Sequence, residues 1–183
     1  DFRMPAEREP LPAIVALDGQ LITHEWPVSR EDLLVEAGSY VSNPALDLLK
    51  LVVVNRYAAA PAACCFIKNF GLKTGAMASS VAHDSHNIIA VGADDESLCA
   101  AVNLVIKERG GVSCVGVDAD AVLPLPVAGL MSADDGYEVA AAYPRIDAMA
   151  KALGSPLSEP FMTLSFMALL VIPALKLSDR GLF

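Results

Sequence analysis

A pattern of two strands followed by a helix, which occurs twice in succession, constrains the fold of this chain most strongly. In the first copy, apolar runs at 75–82 and 88–92 flank a polar turn, and a helix opens with Asp94, Asp95 and Glu96. Strands joined by a short turn are antiparallel, and helices inserted after each pair of strands would cover one face of the sheet. The pattern therefore predicts an α+β fold, with a mainly antiparallel sheet and helices packed on one face, rather than a parallel doubly wound sheet.

The second copy repeats the first in outline. Its apolar runs at 112–117 and 121–130 are separated by a turn at 118–120. Its helix opens at Ser132, and Asp135 follows three residues later, as in a capping box. The order of strand, strand and helix is therefore present twice, which strengthens the α+β prediction.

The two predicted helices differ in their interiors and ends. The first has acidic residues in its first turn, basic residues in its last turn and Gly110 as a C-cap, all of which favour a helix. Inside the second helix, Pro144 lacks the N–H that a helix interior uses, so we expect a kink or a break at Tyr143. Apolar spacing continues to Gly154, and residues 161–172 are predicted to form a last strand.

The N-terminal part of the chain has a different composition. Residues 1–45 are rich in Pro and acidic groups and are predicted to form a strand-rich lead-in, the remnant of a preceding domain, before a main domain at 46–183. A short apolar run in the lead-in ends at Asp18-Gly19, a dipeptide typical of hairpin turns. The β-branched run at 48–54 predicts a buried strand at the start of the main domain.

The charge balance narrows the classes of partner. The chain has 183 residues, 54% of them hydrophobic, and a net charge of -9, which fits one globular domain or a domain with a small appendage. An acidic chain without a local Lys and Arg cluster repels phosphate backbones, which argues against nucleic acid as a partner. Small molecules and protein surfaces fit this composition better.

Apolar runs and cysteines bear on the cellular location. The longest apolar run, 166–175, is interrupted by Pro173 and is too short to cross a bilayer, so we expect no membrane association. The N-terminus lacks the apolar core of a signal peptide, and the four cysteines have neither metal-site nor disulfide-framework spacing. These features predict a cytoplasmic protein.

The polar turn of the first copy holds the densest group of functional side chains: His83, Asp84, Ser85, His86 and Asn87. Imidazole beside carboxylate can bind a metal, relay a proton or recognise a heterocyclic base. On this interpretation all five residues are candidates for the substrate side of a site, and His83, Asp84 and His86 are candidate metal ligands. Alternatively, Asp84, Ser85 and Asn87 cap the turn by bonding to its backbone, and the histidines are structural. The residues alone leave both interpretations open.

Three segments carry a resemblance to a known family. They are residues 73–89, which include the polar turn, residues 123–132 and residues 160–182. In this order they resemble the C-terminal domain of bacterial adenine deaminases, over most of the chain after the lead-in. The resemblance implies an enzyme of the amidohydrolase superfamily that converts adenine and water to hypoxanthine and ammonia in purine salvage. It also implies a divalent metal, manganese or iron, held in a (β/α)8 barrel.

The catalytic half that the resemblance implies does not fit into this chain. Barrels of that superfamily bind metal through an HxH pair, further histidines and an Asp, whereas this chain has three histidines and no HxH. It is also shorter than the roughly 250 residues typical of such a barrel. We therefore expect the chain to hold no cofactor and to be inactive alone. Its expected partner is the barrel domain of the same protein, which binds adenine. The resemblance also implies that the whole protein is a homo-oligomer.

Two roles for the chain follow from the resemblance. In the first, it is the C-terminal portion of an adenine deaminase, and the turn at 83–87 faces the barrel mouth or a subunit interface as a lid or substrate-side loop. In the second, it is a free-standing domain without catalytic activity that binds a purine or supports oligomerisation.

Overall fold

The computed structural model describes residues 1–183, which form thirteen strands and three α-helices. The strands are β1 (Met4–Pro5), β2 (Ala13–Val15), β3 (His24–Trp26), β4 (Leu34–Glu36), β5 (Ser39–Val41), β6 (Leu49–Val54), β7 (Ala63–Lys68), β8 (Ala76–Ser79), β9 (Ile88–Gly92), β10 (Gly111–Val115), β11 (Asp120–Pro124), β12 (Leu177–Ser178) and β13 (Gly181–Leu182). The helices are α1 (Asp95–Lys107), α2 (Gly136–Ala152) and α3 (Pro160–Phe166).

Eight strands form the main sheet, in the order β11-β10-β8-β9-β6-β7-β2-β3. Every neighbouring pair is antiparallel except β2 and β7, which run parallel. The strand pairs β8–β9 and β10–β11 are the two hairpins that the repeated pattern predicts, and each is followed by a helix. The α+β class and the mainly antiparallel sheet are therefore confirmed.

The helices cover both faces of this sheet, so the prediction that they lie on one face is wrong. On one face, α1 packs through Leu98 and Val105 against a cluster that includes Ala78 and Ala90. On the other face, α2 and α3 pack against a larger cluster built on the alternate residues of the same strands, such as Met77. The apolar runs of β8 and β9 are buried on both sides, and a strand that is apolar on both sides needs cover on both.

The first helix confirms its predicted start and shifts its predicted end. The side chain of Asp94 accepts a hydrogen bond from the backbone N–H of Ser97 at 2.7 Å, which makes Asp94 the N-cap. At the other end the C-cap is Glu108, and Arg109 follows in the left-handed region with a φ of 60°. The C-cap therefore lies two residues before the predicted Gly110.

The second helix differs from its prediction in two ways. It begins at Gly136 with Asp135 as its N-cap, whereas Ser132 lies in the preceding loop and bonds to the side chain of Asp134. It also continues through Pro144 over its full length of 17 residues, so the predicted break is absent, while the alternative of a kink stays a prediction. The prediction of a start at Ser132 is wrong because β11 ends at Pro124 and a loop, rather than a longer strand, leads to the helix.

The predicted last strand at 161–172 is also wrong. Residues 160–166 form α3, which has Pro160 in its first turn, where the missing N–H costs nothing. Phe161 and Leu164 lie three residues apart on one helical face and are buried in the larger core cluster. A short apolar run is compatible with a helix as well as a strand, and here the tertiary contacts select the helix.

The lead-in contributes to two sheets. The strands β2 and β3 form the predicted hairpin, with Asp18 and Gly19 in its loop, at one edge of the main sheet. The strands β1, β4 and β5 form a separate three-stranded sheet. The domain boundary near residue 45 stays a prediction. None of the three helices combines the length and the apolar content that crossing a bilayer requires.

Candidate functional site

The polar turn lies at one end of the main sheet, where several loops meet. Strand pairing places Val54 opposite Ile88 and Ser79 opposite Ile89, so the chain leaves β6 and β8 at the same end at which it enters β9. Pro124, the last residue of β11, is at this end too, opposite Gly111. The loops after β6, β8 and β11 are therefore neighbours, and the turn at 83–87 belongs to the middle one.

His83 lies against the end of α3, and His86 lies against His83. The ring of His83 stacks on that of Phe166, with centroids 5.2 Å apart and an interplanar angle of 22°. The backbone N–H of His83 donates to the carbonyl of Ser165 at 3.1 Å. The ring of His86 meets the ring of His83 edge-on at 5.5 Å. The two rings are thus in contact with each other, and the prediction that both face one cavity stays a prediction.

His86 has the electrostatic features of a binding group. Partial burial, followed by repulsion from His83 and Arg56, lowers the pKa of His86, and Asp84 opposes this effect. Its Nδ1 atom is buried and has no hydrogen-bond partner. Because Nδ1 is buried, only the other ring nitrogen of a neutral His86 is placed to hydrogen-bond a polar ligand.

The other residues of the turn divide into exposed and buried ones. Asp84 and Ser85 are exposed, whereas Asn87 is buried. The amide of Asn87 donates to the Ser85 hydroxyl at 3.3 Å and accepts from the backbone N–H of Arg56 at the same distance. Asn87 therefore joins the turn to the loop after β6 rather than capping the backbone of the turn itself, while Asp84 and Ser85 are exposed.

Arg56 and Tyr57, which the sequence reasoning missed, hold the turn in place. The Nε of Arg56 donates to the carbonyl of His86, and its Nη2 donates to the carbonyl of Ala128 in the loop after β11. The Tyr57 hydroxyl donates to the carbonyl of Ser85 at 2.8 Å. The only signal in the sequence is that polar residues directly follow a β-branched strand. This indicates a loop, but it does not indicate which groups the side chains of that loop contact.

Gly129 is required at the point where the loop after β11 meets Arg56. Its φ is +76°, and a Cβ at this position would overlap the guanidinium of Arg56. Its carbonyl accepts a hydrogen bond from the buried hydroxyl of Ser80. The 123–132 segment is thus fixed to the polar turn from two sides.

A further pair joins the C-terminal hairpin to the same end of the sheet. The amide of Asn55 donates to the carboxylate of Asp179 at 2.8 Å, and its carbonyl oxygen accepts from the backbone N–H of Tyr57 at 2.9 Å. The turn between β12 and β13 therefore lies beside the loop after β6. All three segments that carry the family resemblance contribute to this end of the molecule.

The side chains of this chain do not fit a metal centre of the type that the resemblance implies. No three His, Cys, Asp or Glu side chains lie close enough together to hold a metal ion. Asp84 is exposed, and the two histidine rings contact each other edge-on. The assignment of His83, Asp84 and His86 as metal ligands stays a prediction, to which this geometry adds no third ligand.

Comparison with known proteins gives one consistent result. A family model described as "Adenine deaminase C-terminal domain" matches residues 20–183. The chain is 55% identical over 170 residues to a Methanosarcina barkeri protein named adenine deaminase, with 93% of this chain and 30% of that protein covered. Proteins of the same name from Salinibacter ruber and Borreliella burgdorferi are 52% and 42% identical over the whole chain, each with 33% of its own length covered. The chain thus spans about a third of the length of these curated relatives.

Proposed function

Because this chain belongs to the adenine deaminase C-terminal domain family, we propose that it is the C-terminal portion of an enzyme that converts adenine and water to hypoxanthine and ammonia. One observation carries the proposal: the chain is similar over nearly its whole length to proteins named adenine deaminase, yet it spans only about a third of theirs. A larger N-terminal portion therefore belongs with it. In keeping with the family, we further propose a role in purine salvage, a cytoplasmic location and a homo-oligomeric state.

The catalytic metal belongs to the N-terminal portion in this proposal. A divalent ion such as manganese or iron would supply an activated water there. This chain has three histidines and no cluster of three potential ligands, so no step of the proposed reaction is assigned to a metal held by it. Its own contribution is to binding and enclosure of the substrate.

The turn at 83–87 is the part of the chain that we assign to the substrate side. His86 is suited to contact a purine or a bound water because its lowered pKa favours the neutral ring and no protein group bonds to its ring nitrogens. Arg56 and Tyr57 fix the carbonyls of His86 and Ser85, so the turn is presented to a neighbouring domain with a set geometry. A preorganised polar group binds without the entropy cost of ordering it.

The test is a His86→Gln substitution in the intact protein that carries this chain, with His24→Gln as its matched control. His24 lies on the exposed edge strand β3, far along the sheet from the turn. Loss of one hydrogen bond to the substrate predicts that kcat/KM for adenine falls about 10-fold or more for His86→Gln and stays within about twofold for His24→Gln.

Two outcomes would contradict the proposal. Deamination of adenine by the 183-residue chain alone, at the rate of the intact protein, would place the chemistry within this chain. Equal kcat/KM values for the two histidine variants would remove the turn from the substrate side. Tight adenine binding by a chain whose gene encodes no upstream barrel would instead favour the free-standing purine-binding domain.

A further inference from the structure

A second concave site lies behind the polar turn. It is a cavity of about 550 Å³ between the loop that follows β6 and the last turn of α1. None of the residues 83–87 lines it; Arg56 and Tyr57 stand between the two sites and line the cavity. Its volume is in the range of small-molecule sites, which are typically mostly apolar with a few convergent polar groups.

The charge of the cavity is opposite to that of the chain. The chain carries 22 acidic and 13 basic side chains, yet no Asp or Glu is among the twelve residues that line the cavity, and two arginines are. These are Arg56 from the loop and Arg109 from the end of α1. The arrangement concentrates positive charge over a mostly apolar wall in an acidic protein, which attracts small anions.

Arg109 is free to bind a ligand. Its side chain is exposed and makes no ion pair and no side-chain hydrogen bond. Arg56, by contrast, is held in place by the carbonyls of His86 and Ala128 and lies over the Tyr57 ring at 4.9 Å. One fixed and one free guanidinium together suit an anionic group, because guanidinium donors match the oxygens of phosphate and carboxylate.

Pairing of backbone carbonyls limits how far the end of α1 offsets this positive charge. Helix C-termini present unpaired carbonyls that repel anions, but here the carbonyls of Leu104, Val105 and Ile106 accept bonds from the backbone N–H groups of residues 108, 110 and 109. Val105 and Ile106, whose carbonyls are both paired, line the cavity beside Arg109.

The larger cavity of the molecule lacks this property. It measures about 720 Å³ and is lined by the N-terminal residues, where Asp1 and Arg3 form an ion pair at 2.6 Å. The charge of its one arginine, Arg3, is thus balanced by a carboxylate that lines the same cavity. The comparison favours the smaller cavity as the ligand site.

We infer that the cavity between the loop after β6 and the end of α1 binds a small organic anion, with an apolar body against Val105 and Ile106 and a phosphate or carboxylate group between Arg56 and Arg109. This site is separate from the proposed substrate-side turn, and Arg56 contacts both. The inference is independent of the reaction that the protein catalyses.

The experiment is a ligand-observed NMR titration of the intact protein with four compounds: phenyl phosphate, benzoate, phenol and inorganic phosphate. We expect phenyl phosphate or benzoate to bind at least about 10-fold more tightly than phenol, which lacks the charge, and than inorganic phosphate, which lacks the apolar body. The stronger of the two organic anions identifies the anionic group that the site prefers.

Variants locate the binding. Arg109→Gln is expected to weaken binding of the preferred anion about 10-fold or more, and Ile106→Glu, which adds a negative charge to the wall, is expected to abolish it. Lys107→Gln is the matched control, because Lys107 is an exposed cation on the same helix end that does not line the cavity. Equal binding of phenol and phenyl phosphate, or equal effects of Arg109→Gln and Lys107→Gln, would overturn the inference.

Discussion

The two copies of the strand, strand and helix unit share an order but not a role. In the first copy, the turn between β8 and β9 carries His83 and His86 and lies among the loops that follow β6 and β11. In the second copy, the turn between β10 and β11 lies at the opposite end of the sheet, because β10 is antiparallel to β8 and Val115 pairs with Ala76. The part of the second copy that lies beside the turn at 83–87 is instead the loop after β11.

This difference shows that the position of a turn in the sheet, rather than its place in the strand, strand and helix unit, determines which other loops contact it. The turn at 83–87 gains its fixed geometry from Arg56 and Tyr57, which belong to neither copy, and from Phe166 on α3. The turn at 116–119 has no comparable set of hydrogen bonds from other loops. Its hydrogen bond is internal, from the backbone N–H of Gly116 to the carbonyl of Ala119. The first copy is also more deeply buried, since both of its strands are fully buried, whereas β11 of the second copy is partly exposed.

The largest expected effect tests the difference in burial. Leu98→Ala removes a fully buried side chain of α1, and we expect the free energy of unfolding to fall by about 3 kcal/mol. Leu153→Ala, the same change at the half-buried C-cap of α2, should cost about 1 kcal/mol. Urea unfolding with both midpoint and slope recorded measures the two losses. Equal losses would mean that the second copy is packed as tightly as the first.

A smaller effect is expected where the second copy supports the site. Gly129→Ala places a Cβ in a backbone conformation with positive φ and against Arg56, so we expect a loss of about 2 kcal/mol in the free energy of unfolding. Gly136→Ala is the matched control, because nothing lies within 4 Å of a Cβ there and alanine favours the helix that it begins. The control should be neutral or slightly stabilising.

The NMR signals of the histidine rings extend this test to the site. Displacement of Arg56 by Gly129→Ala should shift the signals of His86, whose carbonyl Arg56 binds, and Gly136→Ala should leave them unchanged. If Gly129→Ala destabilised the protein without moving the His86 signals, the loop after β11 would matter for the fold alone.

The sequence predicted the first copy better than the second for physical reasons. Its apolar runs are bounded by polar residues, and Asp94 is a strong N-cap signal, so strand and helix limits agree with local chemistry. In the second copy, both Ser132 and Asp135 can cap a helix, and tertiary context selects Asp135. The helix α3 was predicted as a strand because a short apolar run does not distinguish the two.

The sequence analysis named a candidate turn, whose role as a site stays a prediction, but not the residues that hold it in place. The density of polar groups at 83–87 pointed to the turn, and the contact between the two histidine rings agrees with it. Arg56 and Tyr57 bind backbone carbonyls that lie about 30 to 70 residues away in sequence, and a carbonyl has no side-chain signature. The placement of helices on both faces likewise depends on packing that a repeating pattern does not specify.

The smallest expected effect compares the charges of the two turns. The lowered pKa of His86 means that the folded protein binds its proton less tightly than the unfolded chain, whose histidine titrates near about 6.5. The contribution of His86 to stability is therefore complete above that pH and is lost as the pH falls below it. Exposed Asp84 acts against the lowering, so Asp84→Asn should lower the pKa of His86 further.

Asp118→Asn, the same change in the turn of the second copy, should leave the pKa of His86 unaltered, because that turn lies at the other end of the sheet. An NMR titration of the ring protons measures the pKa of His86 in the unmodified protein and in each of the two asparagine variants. The His86 signal is assigned by its loss in His86→Gln. Two results would show that local burial and local charge do not determine the pKa of His86. One is a pKa of His86 at or above its ordinary value, and the other is an equal change in that pKa in both asparagine variants. A confirmed difference would mean that the neutral imidazole at the site is a property of the first turn alone, produced by the loops that converge on it.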